Sequence, residues 1–287
     1  MTPDLGHVVE KLRRSTVAIA VSLRGAGGAE AGGSGVVIDA NGGIVTNAHV
    51  AAGPRATVEM WDGRRFEASV LRRDEGRDLA LLGVRATGLP AAELGDSGRL
   101  RAGEIAVAVG SPLGFRGAMS AGVFHADGNP PGPGGRRWVE AALRLAPGNS
   151  GGPLADSAGR VVGINTMIAG GLAFAVPSDS VRRFLARPRS GPALGVTLRP
   201  LVFREGARRR FGLQVVEIAS GSPAEEASLR GGDVLTGADG RDFAALDDLQ
   251  DILSEWSGAM RLQFRRDDLA RPRTVTVVPH SMRAEAA

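Results

Sequence analysis

The stretch GNSGGP at residues 148–153 constrains the fold and chemistry of this sequence more than any other. A serine hydroxyl is a poor nucleophile until a neighbouring base removes its proton, and its site needs backbone N–H groups aimed at the oxyanion that forms. Glycines beside Ser150 permit the tight turn that aims those groups. Glycine-rich turns with a serine are common, but these six residues ahead of the apolar run Val161–Ile164 indicate a nucleophile. We place the oxyanion hole at Gly148, Asn149 and Ser150, with Gly148 and Ser150 as the natural N–H donors.

Four histidines could serve as the base that Ser150 requires, at positions 7, 49, 125 and 280. His49 comes directly after the strand-like run Ile44–Thr46. The other three lie in the leading segment, near a Pro/Gly-rich loop and near the end of the chain. A histidine at a strand end is often structural, but beside the serine stretch we interpret His49 as the general base.

The third group must orient the imidazole and stabilise its charged form. Asp78 opens the apolar run Leu79–Leu82. A lone carboxylate before such a run is usually a solvated strand end, but the chain order His, Asp, Ser favours Asp78 as the acid. Asp62 and Asp74 are weaker candidates because their neighbours are typical of polar turns.

Composition excludes several other classes of protein. The chain has 287 residues, 43% of them apolar, with 42 glycines and few aromatics, which favours a turn-rich β protein. Arginine supplies nearly all of the basic charge, and it alternates with acidic residues along most of the chain, so nucleic-acid binding is not expected. The absence of cysteine excludes disulfides and thiolate sites. No apolar run approaches the roughly 20 residues of a membrane-spanning helix.

The leading segment superficially copies a signal peptide, because basic residues precede the apolar run Val17–Val21. That run is short, Arg24 follows it closely and acidic residues lie upstream, so a strand at Val17–Leu23 after a short helix at residues 5–14 is the better interpretation. No convincing signal peptide is present. The compartment is therefore left open between the cytoplasm and, if an upstream signal was removed, an extracytoplasmic location.

Strand-like runs punctuated by Gly, Asp, Asn and Pro recur through the first two thirds of the chain. They are Val17–Leu23, Gly35–Ile38, Ile44–Thr46, Ala56–Met60, Ala68–Arg72, Leu79–Val84, Ile105–Val109, Val161–Asn165 and Ala173–Val176. A closing helix is predicted at Ser178–Ala186, with Ser178 as its cap. A Pro/Gly linker follows, and then a second unit with helical patterns at Pro223–Leu229 and Ala245–Glu255.

Taken together, these motifs resemble the HtrA-type (Deg-type) serine proteases. The resemblance rests on Gly33–Ile38, Ile44–Val50, Asp78–Leu82, Leu94–Ser97, Gly110–Gly114, Gly148–Leu154, Gly163–Thr166 and Phe174–Ser178. It implies a mainly β chain with a chymotrypsin-like double β-barrel, the active site between the barrels, and a small α+β PDZ domain. It also implies ATP-independent cleavage of unfolded or damaged proteins in protein quality control, with no cofactor and no metal.

The PDZ resemblance rests on Gly221–Ala227 and Arg230–Leu235. The peptide-binding loop would be Leu194, Gly195 and Val196, and Leu249, Ile252 and Leu253 are either groove or core residues. Ser228 replaces a usual glycine, so we expect a mildly strained left-handed backbone there. The domain boundaries expected are an N-terminal segment 1–14, a protease domain 15–187, a linker 188–191 and a PDZ domain 192–281.

Two loops, at residues 24–33 and Ile168–Leu172, are shorter than in some relatives. Regulation that depends on the longer loops of those relatives is therefore not expected to carry over to this chain. The resemblance assigns the specificity pocket to Asn165, Thr166, Met167, Gly171, Leu172 and Phe174. None of these is a carboxylate, so cleavage after small or medium aliphatic residues is expected.

Two questions stay open at the level of sequence. A catalytically quiet chaperone or scaffold that binds unfolded chains is the alternative to a peptidase. Relatives form trimers through the N-terminal segment, but this segment lacks the aromatic anchors of such contacts, so a homotrimer is a weaker expectation than the fold.

Overall fold

The computed structural model describes residues 5–22, 30–111, 117–128, 132, 135–186, 194–266 and 271–279. The chain divides into two compact units. The first comprises residues 1–130 and 138–185, and the second comprises residues 131–137 and 186–287.

The first unit begins with helix α1 (Leu5–Ser15) and a closed six-stranded barrel of strand order β1-β2-β3-β6-β5-β4. Its strands are β1 (Thr16–Ser22), β2 (Glu30–Asp39), β3 (Gly43–Thr46), β4 (Arg55–Glu59), β5 (Arg65–Asp74) and β6 (Leu79–Val84). Alternating burial along β4 is typical of strands with one face inside a barrel.

A second closed barrel follows, of strand order β10-β11-β12-β9-β8-β7. Its strands are β7 (Ile105–Gly110), β8 (Ala118–Phe124), β9 (Val139–Ala142), β10 (Pro153–Ala155), β11 (Val161–Ala169) and β12 (Leu172–Pro177). Helix α2 (Ser178–Ala186) follows β12 directly. The expected double barrel is confirmed, although the sequence patterns did not predict strands β8, β9 and β10.

Three apolar clusters hold the first unit together. One fills the first barrel and another fills the second. The third joins the two, because it combines Val36 and Leu79 of the first barrel with Val109 and Ile164 of the second. Both helices contribute to this joining cluster, through Val8, Val9 and Leu12 of α1 and through Val181 and Phe184 of α2.

The second unit is built on a six-stranded antiparallel sheet, in which five strands follow the order β13-β14-β15-β17-β18 and the short β16 pairs with β15. Its strands are β13 (Val196–Glu205), β14 (Arg208–Ile218), β15 (Val234–Ala238), β16 (Arg241–Asp242), β17 (Met260–Arg265) and β18 (Pro272–Val277). Two helices, α3 (Pro223–Glu226) and α4 (Leu246–Glu255), pack with this sheet around one apolar core.

Local predictions had mixed outcomes. Ser228 has the expected left-handed backbone, with φ of 57°. Helix α3 ends at Glu226, before the predicted Leu229. Ser178 does not cap α2, because its hydroxyl donates to the Gly95 carbonyl and accepts from the Ser97 N–H.

The proposed linker 188–191 lies outside the described residues, and the domain boundaries stay a prediction. Within the described part of the chain, no helix has the length and apolar character needed to cross a membrane.

Helix α1 should contribute to the stability of the first unit. Leu12 is 1% exposed in the cluster that joins the barrels, so Leu12→Ala should lower the free energy of unfolding by about 2–5 kcal/mol. The control is Lys11→Ala, since the Lys11 side chain is 46% exposed and its ion pair with Glu93 is worth under about 1 kcal/mol. Denaturant unfolding measures both. Equal stability of the two variants would show that α1 does not belong to this core.

Candidate active site

His49 and Asp78 form a closely paired couple on the first barrel. The ring Nδ1 of His49 lies 3.0 Å from Oδ1 and 2.9 Å from Oδ2 of Asp78, and the His49 backbone N–H donates to Oδ1 at 3.1 Å. His49 follows β3 and Asp78 precedes β6, and these strands pair directly through Thr46 and Ala80. The carboxylate therefore fixes both the ring and the backbone of the histidine, which leaves Nε2 as the nitrogen available to a nucleophile.

A strained turn presents Asp78. Its φ is 54°, in the left-handed region that Asp tolerates better than most residues. The Asn47 side chain donates to the Asp78 carbonyl at 3.0 Å. One turn earlier, the Asp74 carboxylate accepts from the backbone N–H and the guanidinium of Arg77, each at 3.0 Å, and the Arg77 side chain is fully buried. These contacts stabilise a backbone shape that would otherwise be unfavourable.

Each of the two weaker acid candidates is paired with an arginine. Asp62 lies 2.8 Å from Arg64, and Asp74 lies 3.0 Å from Arg77. Among the other histidines, His7 lies on α1, His125 follows β8 and position 280 is outside the described residues. His49 and Asp78, chosen from sequence, are thus brought together by the fold.

The pKa of His49 is raised above its ordinary value. The side-chain hydrogen bond with Asp78 is the largest cause, and the negative charge of Asp78 adds to it, while partial burial of the ring acts in the opposite direction. A raised pKa makes His49 a stronger base that is held protonated to a higher pH than an isolated imidazole.

Ser150 lies in a glycine turn between β9 and β10. Gly148 has φ of 101° and Gly151 has φ of 84°, conformations that side-chain-bearing residues rarely adopt. The N–H groups of Gly151 and Gly152 donate to Asn165 and Asn149 carbonyls at 2.7 and 3.0 Å. In the part of the chain that the structure describes, the N–H groups of Gly148 and Ser150 have no acceptor. Two N–H groups on one turn that are left without an acceptor are what an oxyanion hole requires.

Asn149 does not fit the oxyanion-hole role that the sequence suggested for it. Its backbone N–H donates to the Ala146 carbonyl at 3.0 Å, and its side-chain amide donates to the same carbonyl at 3.0 Å. Asn149 is also 7% exposed. Its N–H group is therefore engaged within the turn, and the candidate donors are those of Gly148 and Ser150.

The Ser150 hydroxyl donates to the Thr166 carbonyl at 3.1 Å. Among the described residues, no hydrogen bond joins it to His49. Catalytic hydrogen bonds are often long or misaligned before substrate binds. Thr166 also ties the two barrels together, since its hydroxyl accepts from Asn47 at 2.8 Å.

The candidate pocket residues differ in how far their side chains are exposed. Asn165 is fully buried, and its amide donates to the Pro153 carbonyl at 2.9 Å, so its side chain supports the turn and cannot line a pocket. Met167 and Leu172 are half-buried, Phe174 is 6% exposed and Gly171 is exposed. Trp138, which sequence reasoning missed, packs edge-to-face on Phe174 with ring centroids 6.0 Å apart.

The second unit offers an edge strand beside the expected peptide-binding loop. Strand β13 forms one edge of the sheet and begins at Val196. Gly195 has φ of 77°, and a Cβ there would meet the Ser222 side chain at 2.2 Å. Leu194 and Leu249 are 2% and 1% exposed in the core, so their side chains are not groove residues, whereas Leu253 is half-buried.

The pairing of His49 with Asp78 should be visible in titration. We expect the pKa of His49 to lie above the ordinary value of about 6.5, and Asp78→Asn should lower it because the negative charge is lost while Asn still tolerates the left-handed turn. NMR titration in a Ser150→Ala background, which prevents self-digestion, measures this pKa.

The control for that titration is Asp62→Asn, which removes a carboxylate paired with Arg64 instead. An identical His49 pKa in the Asp78→Asn protein and its parent would contradict the assignment. The sign is set by protonation: His49 loses its capacity as a base as the pH falls through its raised pKa.

Comparison with known proteins finds relatives of both units. Residues 33–164 match the family model of the trypsin-like peptidase domain, and residues 192–277 match that of the PDZ domain. Serine protease HTRA1 of Xenopus tropicalis is 32% identical over 278 residues, which cover 86% of this chain and 60% of the relative. The putative serine protease HhoA of Synechocystis is 33% identical, with 82% of this chain and 68% of the relative covered.

Solved structures share the fold across nearly the whole chain. The HtrA-type protease AlgW with a tripeptide has a TM-score of 0.73 at 24% identity, covering 96% of each chain. The chain spans about 60% of the length of the HTRA1 relatives. Because the two domain matches, the HhoA relative and the double barrel agree, this chain belongs to the HtrA family of trypsin-like serine proteases with a C-terminal PDZ domain.

Proposed function

We propose that this protein is a serine endopeptidase in which Ser150 is the nucleophile, His49 the general base and Asp78 the acid that orients it. One observation carries the proposal. The His49 ring is fixed by Asp78 at 2.9 Å on one barrel, and the other barrel presents Ser150 on a turn whose N–H groups at 148 and 150 have no acceptor among the described residues. This combination supplies base, nucleophile and oxyanion donors together.

Acylation follows from these positions. Ser150 Oγ attacks the carbonyl carbon of the scissile peptide, and its proton passes to Nε2 of His49. The carbonyl electron pair moves onto the oxygen, which accepts hydrogen bonds from the Gly148 and Ser150 N–H groups. The C–N bond then breaks, the leaving amine takes the proton from Nε2, and water repeats the sequence to release the acyl group. Rotation of the Ser150 hydroxyl away from Thr166 precedes the first proton transfer.

The substrates we propose are unfolded or damaged polypeptides, cleaved without ATP. Acyl-enzyme chemistry consumes water and needs no nucleotide. The edge strand β13 supports the choice of substrate, because a peptide can be added to a sheet edge only as an extended segment. We propose that the loop Leu194–Val196 holds a peptide terminus through its backbone. A homotrimer stays a prediction.

One observation favours a second candidate, a catalytically quiet chaperone or scaffold. The Ser150 hydroxyl hydrogen-bonds the Thr166 carbonyl instead of the His49 ring. A protein that kept this geometry with substrate bound would bind unfolded chains without cleaving them.

Casein digestion without nucleotide separates the two candidates. Ser150→Ala and His49→Ala should each remove nearly all cleavage, and the double variant should lose no more than either single one, because the pair acts as a unit. In subtilisin such losses are about 10⁶-fold in kcat. Replacing Ser157, a half-buried serine outside the turn, with Ala gives the control. Casein cleavage that persists in the Ser150→Ala protein would remove Ser150 from the mechanism.

Cleavage should occur after small or medium aliphatic residues such as Val, Ala, Ile or Leu. The pocket wall that we propose is apolar, formed by Met167, Leu172 and Phe174, and the proposed pocket residues include no carboxylate to offset the desolvation of a basic side chain. Discrimination should be modest, about 1–3 kcal/mol per methylene. Mass-spectrometric profiling of a peptide library measures it, and a dominant cut after Arg or Lys would refute the apolar pocket.

A further inference from the structure

The side chain of Ser34 links three separate segments around the nucleophile turn. It is fully buried in β2, its hydroxyl donates to the Gly148 carbonyl at 2.6 Å, and it accepts from the Ser111 N–H at 2.8 Å. In addition, the Ser34 backbone N–H donates to the Ser150 carbonyl at 2.8 Å. One residue of the first barrel therefore contacts the turn on both sides of Asn149.

The peptide unit between Gly148 and Asn149 is fixed at both of its polar ends. Its carbonyl accepts from the Ser34 hydroxyl and its N–H donates to Ala146. In the described part of the chain, no other group donates to that carbonyl. The two candidate oxyanion donors, the N–H groups of Gly148 and Ser150, immediately flank this peptide unit. A change in ψ of Gly148 or in φ of Asn149 that the neighbouring torsion does not compensate alters the angle between the two donors.

Glycines let Ser34 approach this closely. A Cβ at Gly151 would lie 2.1 Å from the Ser34 carbonyl, and a Cβ at Gly33 would lie 2.9 Å from the Ser150 carbonyl. At Gly110, before Ser111, a Cβ would lie 2.4 Å from Asn149 Oδ1 and 3.1 Å from Ser34 Oγ. Gly110 thus lies against the Ser34 hydroxyl itself, while Gly33 and Gly151 let the backbones of β2 and the nucleophile turn approach each other.

We propose that Ser34 is a positioning residue for the oxyanion hole: its hydroxyl locks the 148–149 peptide so that Gly148 and Ser150 both donate to the oxyanion. The role rests on the proposed peptidase function. Ser34 does not touch the substrate. It acts through the backbone of the nucleophile turn, so its loss should weaken transition-state stabilisation and leave substrate binding nearly unchanged.

The chain contains a closely matched control. Ser178 is also fully buried in the first unit, its hydroxyl also donates to a glycine carbonyl, that of Gly95, at 2.6 Å, and it accepts from the Ser97 N–H at 3.1 Å. Removing the Ser34 hydroxyl takes away the acceptor of the buried Ser111 N–H and the donor to the Gly148 carbonyl. Removing the Ser178 hydroxyl takes away the acceptor of the Ser97 N–H, while the Gly95 carbonyl keeps its hydrogen bond from Arg182 at 2.9 Å. Both variants should therefore have a lower melting temperature than wild type, with Ser34→Ala lowered at least as much as Ser178→Ala. They differ in that, within the described ranges, no hydrogen bond joins Ser178 to the nucleophile turn.

The test compares casein turnover and the rate at which a fluorophosphonate labels Ser150. Loss of a whole oxyanion donor costs about 10²–10³ in kcat. Since Ser34→Ala should displace donors without removing them, we expect kcat and the labelling rate to fall about 10- to 100-fold, with KM changed less than about threefold. Ser178→Ala should keep both rates within about twofold of wild type. The pH at which His49 titrates should stay unchanged in both variants.

Ser34→Cys keeps the side chain small and retains a weak donor, so its kcat should lie between those of wild type and Ser34→Ala. This variant also serves if Ser34→Ala fails to fold. Equal kcat and equal labelling rates in Ser34→Ala and Ser178→Ala would overturn the positioning role. So would a Ser34→Cys protein whose kcat equals that of wild type and whose KM alone is changed. Neither result would contradict the proposed peptidase function. A wild-type protein that neither cleaves casein nor reacts with fluorophosphonate would overturn both proposals.

Discussion

The backbone hydrogen bond from the Ser34 N–H to the Ser150 carbonyl, 2.8 Å long, joins the two barrels where the candidate chemistry takes place. His49 and Asp78 belong to the first barrel and Ser150 to the second, so neither barrel holds the site by itself. Contacts between the barrels, such as this one between β2 and the nucleophile turn, therefore hold the nucleophile and the base in one site. Apolar residues from both barrels and both helices bury the surface beneath this contact and keep the barrels from separating.

Residues with a strong local signature could be predicted from sequence. The glycine turn around Ser150, the histidine after a strand and the aspartate before one each follow from neighbours a few positions away. Ser34 and Asn47 could not be found in this way, because their partners lie 114 and 119 residues distant along the chain. Ser178 illustrates the same limit. A serine at a helix start favours a cap, but a carbonyl 83 residues away takes its hydroxyl.

Ambiguity between core and surface explains the remaining differences. Apolar residues at helical spacing on α4 fit either a groove or a core, and Leu249 belongs to the core while Leu253 is half-buried. Short strands such as β10, with three residues, carry too little alternation to be recognised. By contrast, the left-handed backbone of Ser228 could be predicted from the sequence, because this conformation depends on local geometry and not on distant partners.

The left-handed backbone of Asp78 limits which acid the site can use. Aspartate and asparagine occupy such conformations more readily than other residues with side chains, because their short polar groups can hydrogen-bond the nearby backbone. Glutamate carries the same charge, but it adopts the left-handed conformation less readily, and the extra methylene would move the carboxylate away from its position 2.9 Å from the imidazole. The identity of the acid is therefore dictated by the shape of the main chain as much as by the chemistry of proton transfer, and a sequence change at the turn could silence the site without altering any of the three reactive side chains.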